Sequence, residues 1–367
     1  MKKLKVGIVG TGGIAQAAHL PSFKKLENVE VTAICDVNEK KLAYAAKKFE
    51  IPHTFTKAED LLEQDIDTAV ICTPNAFHAE YSIKAMEAGK HVLCEKPVCI
   101  TSADAEKVFK TAEKTGKKFM VAFPRRFSGE AKVLKPMIEN GDFGEIYYMK
   151  AACLRRRGIP GLGTWFTDKE LAGGGPMMDI GVHVLDMVIY LAGAPMPETV
   201  IGSVYSKFRD KATDGGWPPQ ETRIGDKNTG RMEVEELASG FVKLANGATL
   251  FVEASWAGNS TTGLNASLFG TKAGVQMPDP LNEKNPIRIF SESRGILTDV
   301  IPNMPDSEMY QEEVNHFVEC ITKDKSPITK KEEILSVVRI IEGIYRSAET
   351  GKPVIMKNNG VQTKRRV

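Results

Sequence analysis

The sequence predicts an α/β chain: a doubly wound parallel sheet over residues 1–123, then an α+β domain over 124–367 with a large open, mostly antiparallel sheet. Three observations carry that prediction. Short β-branched runs alternate with helical patterns through the first third. A glycine-rich turn closes the first run. The rhythm then changes near residue 124.

The buried strands of the first part are read at 4–9, 29–35, 68–72, 91–94 and 118–123. Between them, stretches such as 38–49 and 76–88 space their apolar residues by three and four, the helical period. Strands separated in this way by helices pair in parallel through right-handed crossovers, with both sheet faces covered.

Past residue 124, a helix over 131–140 stops at Gly141 and a strand over 145–154 follows. A glycine-rich approach leads into an apolar helix over 179–191. Segments 241–244 and 249–255 flank Asn246-Gly247, a hairpin signal because Asn-Gly supplies the positive φ angles of a type I′ turn. Helices near 312–321 and 330–349 close the chain, on one face of the sheet. Segment 209–231 is too long and too rich in glycine and proline for an ordinary connection. A flexible surface loop is the expectation there, with a lid or an oligomer arm anchored by Trp217 as the alternatives.

Composition narrows the function classes. The net charge of +2 comes from 49 basic and 47 acidic side chains spread along the chain, a balance that suggests no electrostatic footprint for nucleic acid or an anionic membrane. The basic cluster Lys364-Arg365-Arg366 reads as a solvated tail. No apolar run approaches the roughly 20 residues that span a bilayer. Met1-Lys2-Lys3 enters a strand too short for a secretory signal. The cysteines show neither a paired framework nor a metal spacing, and Cys35, Cys72 and Cys94 each close an apolar run. A reducing compartment, the cytoplasm, is the expectation.

Strand 4–9 runs into Gly10-Thr11-Gly12-Gly13-Ile14-Ala15, the G-x-G-x-x-A form of the dinucleotide fingerprint. Gly10 permits the tight turn, Gly12 lets backbone approach a pyrophosphate, and Ala15 lets the next helix pack close to the sheet. Phosphates would sit at that helix N-terminus, with Gly13 and Ile14 part of the same cradle. The motif alone is weak, but it follows a strand, opens a helix and starts a repeated βα pattern, which together mark a Rossmann domain.

Asp36 ends the second strand 24 residues beyond Gly12, near the expected offset of about 20. A carboxylate there accepts hydrogen bonds from ribose hydroxyls and repels a 2′-phosphate. NAD is therefore expected over NADP, with Lys40 and Lys41 able to soften the preference. An aspartate capping the next helix is the alternative. Thr73-Pro74-Asn75 and Glu95-Lys96-Pro97 follow two further strands, at the sheet edge where such folds bind ligands. Turn and cap duties would equally explain Thr73 and Asn75, and His78 could be an ordinary histidine.

Removing a hydride from a carbinol carbon needs a base for the hydroxyl proton and a positive group for the developing alkoxide. Helix 179–191 is apolar except for Asp179, His183, Asp186 and Tyr190, spaced four, three and four apart. They share a face, and the expectation is that the stripe lines a cleft. His183 is the candidate base, with Asp179 one turn earlier to orient it. A structural histidine and an N-cap aspartate are the alternatives. Lys96 is the candidate cation, and a solvated lysine the alternative. No further His/Cys/Glu cluster has metal spacing, so no metal is expected. His316 reads as structural or at a domain contact.

These residues together resemble the glucose-fructose oxidoreductase/inositol dehydrogenase family over nearly the whole chain. The landmarks are Gly10 to Ala15, Asp36, Thr73-Pro74-Asn75 with His78, Glu95-Lys96-Pro97, Arg125-Arg126-Phe127, Trp165, and Gly173-Gly174-Gly175 leading to Asp179-Ile180-Gly181-Val182-His183. Ile344-Tyr345-Arg346-Ser347 and Gly351-Lys352-Pro353-Val354 complete it. The E-K-P and D-x-G-x-H motifs at this separation are the specific part. The resemblance implies NAD as cofactor, a carbohydrate or cyclitol substrate, and a homodimer or homotetramer formed through the second sheet. It implies Lys96 and His183 as acid/base pair with Asp179 in support, Arg125 in the substrate pocket, and a cis bond before Pro97.

Arg155-Arg156-Arg157 could bind an anionic group of the substrate, although strand alternation turns Arg156 away from its neighbours. Arg155 and Trp165 complete the candidate substrate residues. Two other readings stay open: an NAD-retaining enzyme whose net reaction is glycoside cleavage or ketosugar conversion, and a non-catalytic sugar- or dinucleotide-responsive regulator. A regulator would be expected to lose Lys96 or His183, and both are present.

Overall fold

The computed structural model describes residues 3–193, 195–278 and 286–356, and the basic cluster Lys364-Arg365-Arg366 lies outside them. The first part forms a six-stranded sheet from β1 (Leu4–Val9), β2 (Val29–Cys35), β3 (His53–Phe55), β4 (Thr68–Ile71), β5 (His91–Cys94) and β6 (Phe119–Val121). Their spatial order is β3-β2-β1-β4-β5-β6, and every pairing is parallel. Helices α1 (Leu20–Lys24), α2 (Glu39–Phe49), α3 (Ala58–Leu62), α4 (His78–Glu87) and α5 (Ser102–Thr115) supply the crossovers. The order reverses between β1 and β4, which opens a crevice beyond the carboxyl ends of the strands. Strand β3 escaped the sequence reading: it is short and exposed or half-exposed throughout, so no apolar run marks it.

The second part contains α6 (Gly129–Glu139), β7 (Ile146–Leu154), α7 (Lys169–Ala172), α8 (Val182–Leu191), β8 (Pro197–Tyr205), β9 (Leu237–Leu244), β10 (Thr249–Ser255), β11 (Gly263–Gly270), β12 (Ala273–Pro278), β13 (Arg288–Ser293) and β14 (Ile296–Val300). It ends with α9 (Met309–Thr322), α10 (Lys331–Thr350) and β15 (Val354–Ile355). Its nine-stranded sheet runs β14-β13-β12-β11-β7-β10-β9-β8-β15, antiparallel except for the pair β7 and β10. Alternation sorts each strand: in β9, Ala238, Val242 and Leu244 are buried while Phe241 and Lys243 are exposed. The inward side chains share a core with Leu185 and Ile189 of α8 and Ile340 and Ile344 of α10. Helix α9 instead returns to the first sheet, where Val314, Phe317 and Val318 pack with Val6, Ile8 and Leu93. His316 on α9 accepts the Ile328 N–H at 3.0 Å and packs on Phe127, a structural duty.

Several expectations need correction. Between β9 and β10 only Gly247 of the Asn-Gly pair takes a positive φ (91°). The loop closes through Gly247 N–H to Leu244 and Leu244 N–H to Ala248, so it is not a type I′ turn. Helix α8 begins at Val182, after a π-helical turn over Met177–Gly181 that contains Asp179. The polar stripe does not line a cleft along its length. Asp186 is fully buried and makes a two-pronged ion pair with Arg126, at 2.6 and 2.9 Å. Arg126 also pairs with Glu333 and lies 4.6 Å over the Tyr190 ring. A buried guanidinium with two carboxylates and an aromatic face satisfies the charges that the apolar core would otherwise strand. Finally, segment 209–231 lies at the surface with most of its residues exposed, as expected of a surface loop, but it is tethered to the rest of the chain. It holds short 3-10 turns at Arg209–Lys211 and Gln220–Thr222, buries Thr222, and bonds its backbone to residues 159–163.

Candidate active site

Strand β1 runs into Gly10, whose φ of 94° and contact with the Cys72 carbonyl leave no room for a Cβ. Gly12 faces open space instead, and Gly12, Gly13 and Ile14 line a cavity of about 320 Å³ at the crevice. The π-helical turn Ala15–His19 and α1 follow without a break, so a helix N-terminus meets this cavity. Asp36, at the end of β2, accepts the Thr11 N–H at 2.8 Å, the Thr11 hydroxyl at 2.9 Å and the Asn38 N–H at 2.9 Å. Val37 beside it is 87% exposed, an apolar side chain left bare at the end of β2. An open Gly12, a helix start and an anchored carboxylate fit a dinucleotide.

The β4 turn adds Thr73, whose buried hydroxyl has no hydrogen-bond partner among the described residues and which lines the cavity. Pro74 opens the short turn Asn75–Phe77, and Asn75 donates to the Ala172 carbonyl at 2.8 Å. His78 is buried, with one ring nitrogen on the Pro97 carbonyl (2.6 Å) and the other on Thr73 (2.8 Å). Burial pushes its pKa down while those carbonyls pull it up. It clamps the β4 turn to the β5 turn. Glu95 is likewise committed: it bonds His19 at 2.7 Å and accepts the Lys96 N–H at 3.1 Å. Burial alone would raise its pKa, but the His19 bond and the charges of His19 and Lys96 hold it down.

Lys96 leaves β5 through a cis bond to Pro97. Its Nζ donates to the Asp179 carbonyl at 2.8 Å and to the Asp179 Oδ1 at 3.1 Å. Trp256 Nε1 donates to the other carboxylate oxygen at 3.1 Å. Asp179 therefore orients the lysine, not His183 as the helical spacing suggested, and it is no N-cap. The π-helical turn explains the difference, because it rotates Asp179 out of the α-helical register of His183. His183 is half-buried, its buried Nδ1 has no partner among the described residues, and its ring meets Phe123 edge-on. Burial, then the charges of Lys96, Arg125 and Arg155, hold its pKa well below 6.5, so the imidazole is neutral.

Lys96, Asp179, His183, Arg155 and Trp165 all line the one cavity, beside the glycine turn. Arg125 stands just outside that lining, its Nε buried without a partner among the described residues. Arg156 is exposed, while Arg157 bonds Gly258 and Asn259 and covers Phe208. Sequence reasoning missed Trp256, Pro218, Phe166 and Tyr310, which also line the cavity. One signal was available: all three tryptophans, Trp165, Trp217 and Trp256, lie in this lining. The triple glycine was a further signal, since a Cβ at Gly174 or Gly175 would collide with Tyr345 or Glu235.

A dinucleotide edge that feeds a lysine and a neutral histidine defines an NAD-binding oxidoreductase. The chain belongs to the glucose-fructose oxidoreductase/inositol dehydrogenase (Gfo/Idh/MocA) family. Residues 4–123 match its "Oxidoreductase family, NAD-binding Rossmann fold", and residues 135–356 its "Oxidoreductase family, C-terminal alpha/beta domain". The chain is 31% identical over 355 residues to D-glucoside 3-dehydrogenase of Escherichia coli (strain K12), covering 96% of this chain and 97% of that one. It is 28% identical over 196 residues to myo-inositol 2-dehydrogenase of Thermotoga maritima, covering 53% and 57%. Levoglucosan dehydrogenase in complex with NADH and L-sorbose shares the fold, with a TM-score of 0.80 at 23% identity over 97% of this chain and 99% of that one.

Proposed function

We propose that the protein is an NAD-dependent dehydrogenase acting on a secondary hydroxyl, or the matching carbonyl, of a sugar, sugar derivative or cyclitol. The observation that carries this reading is the meeting of Lys96, Asp179 and neutral His183 in one cavity beside the glycine turn. The relatives named for glucosides and inositol support the substrate class.

NAD, when bound along Gly10 to Ile14 and Asp36, supplies the hydride acceptor. A substrate hydroxyl placed between Lys96 and His183 loses its proton to the neutral imidazole as the C–H bond gives up its hydride. The Lys96 ammonium stabilises the developing alkoxide, and Asp179 keeps it aimed. Trp256 fixes Asp179 from the far side. Arg125, Arg155 and Trp165 bind the rest of the substrate. Thr73 and Asn75 belong to the cofactor edge, with His78 and Glu95 positioning it.

The division at residue 123 separates the cofactor half from the substrate half. Ile201, Tyr205, Phe241 and Phe269 on the outer face of the second sheet are exposed large apolar side chains, which supports a homodimer or homotetramer built there. A cytoplasmic enzyme fits the buried thiols, and among the described residues no helix is long and apolar enough to cross a membrane.

The test is appearance of reduced cofactor from NAD across a panel of sugars, inositols and sugar acids. Turnover of one class is the expected outcome. Silence across the panel, with NAD retained by the purified protein, would move the reading to the NAD-retaining enzymes.

A further inference from the structure

Segment 209–231 crosses from the second sheet to the dinucleotide edge and touches it at two separate places. Pro218 sits directly on Gly13 of the glycine turn. Further along, the Ile224 carbonyl accepts the Asn38 side-chain amide at 2.9 Å, and Asp226 forms an ion pair with Lys41. That pair is largely buried, with the side chains 11% and 25% exposed. Gly225, at a φ of 73°, lets the backbone press against Asn38.

The strap is also held at its own base. Gly161 donates to the Trp217 carbonyl at 2.7 Å, Gly215 to Ile159 at 2.8 Å, and Thr229 to Gly163 at 2.8 Å. Arg223 grips Asp214 with both terminal nitrogens. Asp226 thus arrives at Lys41 on a backbone fixed at both ends.

The place it reaches is chemically specific. The β2–α2 turn is where a dinucleotide fold meets the adenosine ribose, either as a free 2′-hydroxyl or as a 2′-phosphate. Asp36 repels the phosphate. Against that, Lys41 lies in the first turn of α2, where the helix dipole also favours an anion. Left alone, it would be a phosphate partner. Lys40 beside it is exposed. The carboxylate of Asp226 occupies the Lys41 ammonium from the far domain.

We propose that Asp226 is a cofactor selector: by engaging Lys41 it withdraws the cation that would receive a 2′-phosphate, and it makes the strap part of the NAD site. This rests on the NAD-dependent reading above. The experiment is calorimetric titration of NAD and of NADP into the full-length, nucleotide-stripped protein, for wild type, Asp226→Asn, Lys41→Ala and the double variant. Asp226→Asn is expected to tighten NADP about tenfold or more, with NAD changed by less than about threefold. The double variant is expected to lose the gain in NADP while still binding NAD, which also reports an intact fold. Unchanged NADP affinity in Asp226→Asn overturns the selector, and so does a gain that persists without Lys41, since simple repulsion would then explain it. A wild-type protein that prefers NADP overturns the cofactor reading itself, and the selector with it.

Discussion

Lys96 reaches two oxygens of Asp179, the backbone carbonyl at 2.8 Å and Oδ1 at 3.1 Å, while among the described residues His183 on the next turn has no hydrogen-bond partner at Nδ1. The lysine is the oriented member of the trio, and the histidine is left neutral with no carboxylate to draw a proton onto it. A base that starts neutral and a cation that starts charged are the states that alcohol oxidation needs.

Removing either group should therefore act on the chemical step. Lys96→Met and His183→Ala are each expected to lower kcat roughly 100-fold or more while NAD affinity stays near wild type. Asp179→Asn should lower kcat as well, through a lysine no longer held by charge. Steady-state kinetics with NAD titration reads both quantities. Wild-type turnover in either of the first two variants would remove that residue from the mechanism.

Asp36 holds the backbone N–H and hydroxyl of Thr11 inside the glycine turn, beside its proposed ribose contact. Asp36→Ala should weaken NAD binding and improve the use of NADP relative to NAD. The two effects separate in the data: loosening of the turn weakens both cofactors, and loss of charge favours NADP alone. An unaltered preference would mean that this carboxylate does not meet the ribose.

The pH dependence follows from His183. Its pKa is held well below 6.5 by burial first, then by Lys96, Arg125 and Arg155. The neutral base persists as pH falls through the ordinary histidine range and is lost only below it. The acid limb of kcat/KM for the oxidation should lie well under the ordinary value. Arg155→Gln should move that limb upward, since one of the opposing charges is gone. A wild-type limb at or above the ordinary value would contradict a base held neutral.

The cofactor half was legible because its signals are local. Gly10, Gly12 and Asp36 act through backbone shape and strand position, and strand alternation with helices fixes which edge they share. The site was legible as a list, Lys96 with His183 and Asp179, but not as a geometry. Helical spacing alone paired Asp179 with His183, and the π-helical turn Met177–Gly181 redirects it to Lys96. Asp186 and Tyr190 look like cleft residues only until Arg126 and Glu333 are known to meet them, from positions about 60 and 150 residues away. No local pattern encodes such partners. The strap was illegible for the same reason: Gly13, Lys41 and Asn38 explain its course, and all lie in the other half of the chain.

Glu313 on α9 gives a test of stability apart from catalysis. It is fully buried, and neither carboxyl oxygen has a hydrogen-bond partner among the described residues. Burial first, then the nearby charge of Glu95, push its pKa well above 4.5. The folded protein keeps this proton at a pH where the unfolded chain has released it. Its contribution is therefore full below the unfolded value and fades as pH rises from about 4.5 toward the folded value. Glu313→Gln removes the titration while keeping the shape. The variant should melt higher than wild type at about pH 8, and the difference should shrink toward about pH 4. Thermal unfolding across that range, followed by circular dichroism, measures it. A difference that stays constant with pH would mean that Glu313 carries the same charge in the folded and unfolded chains.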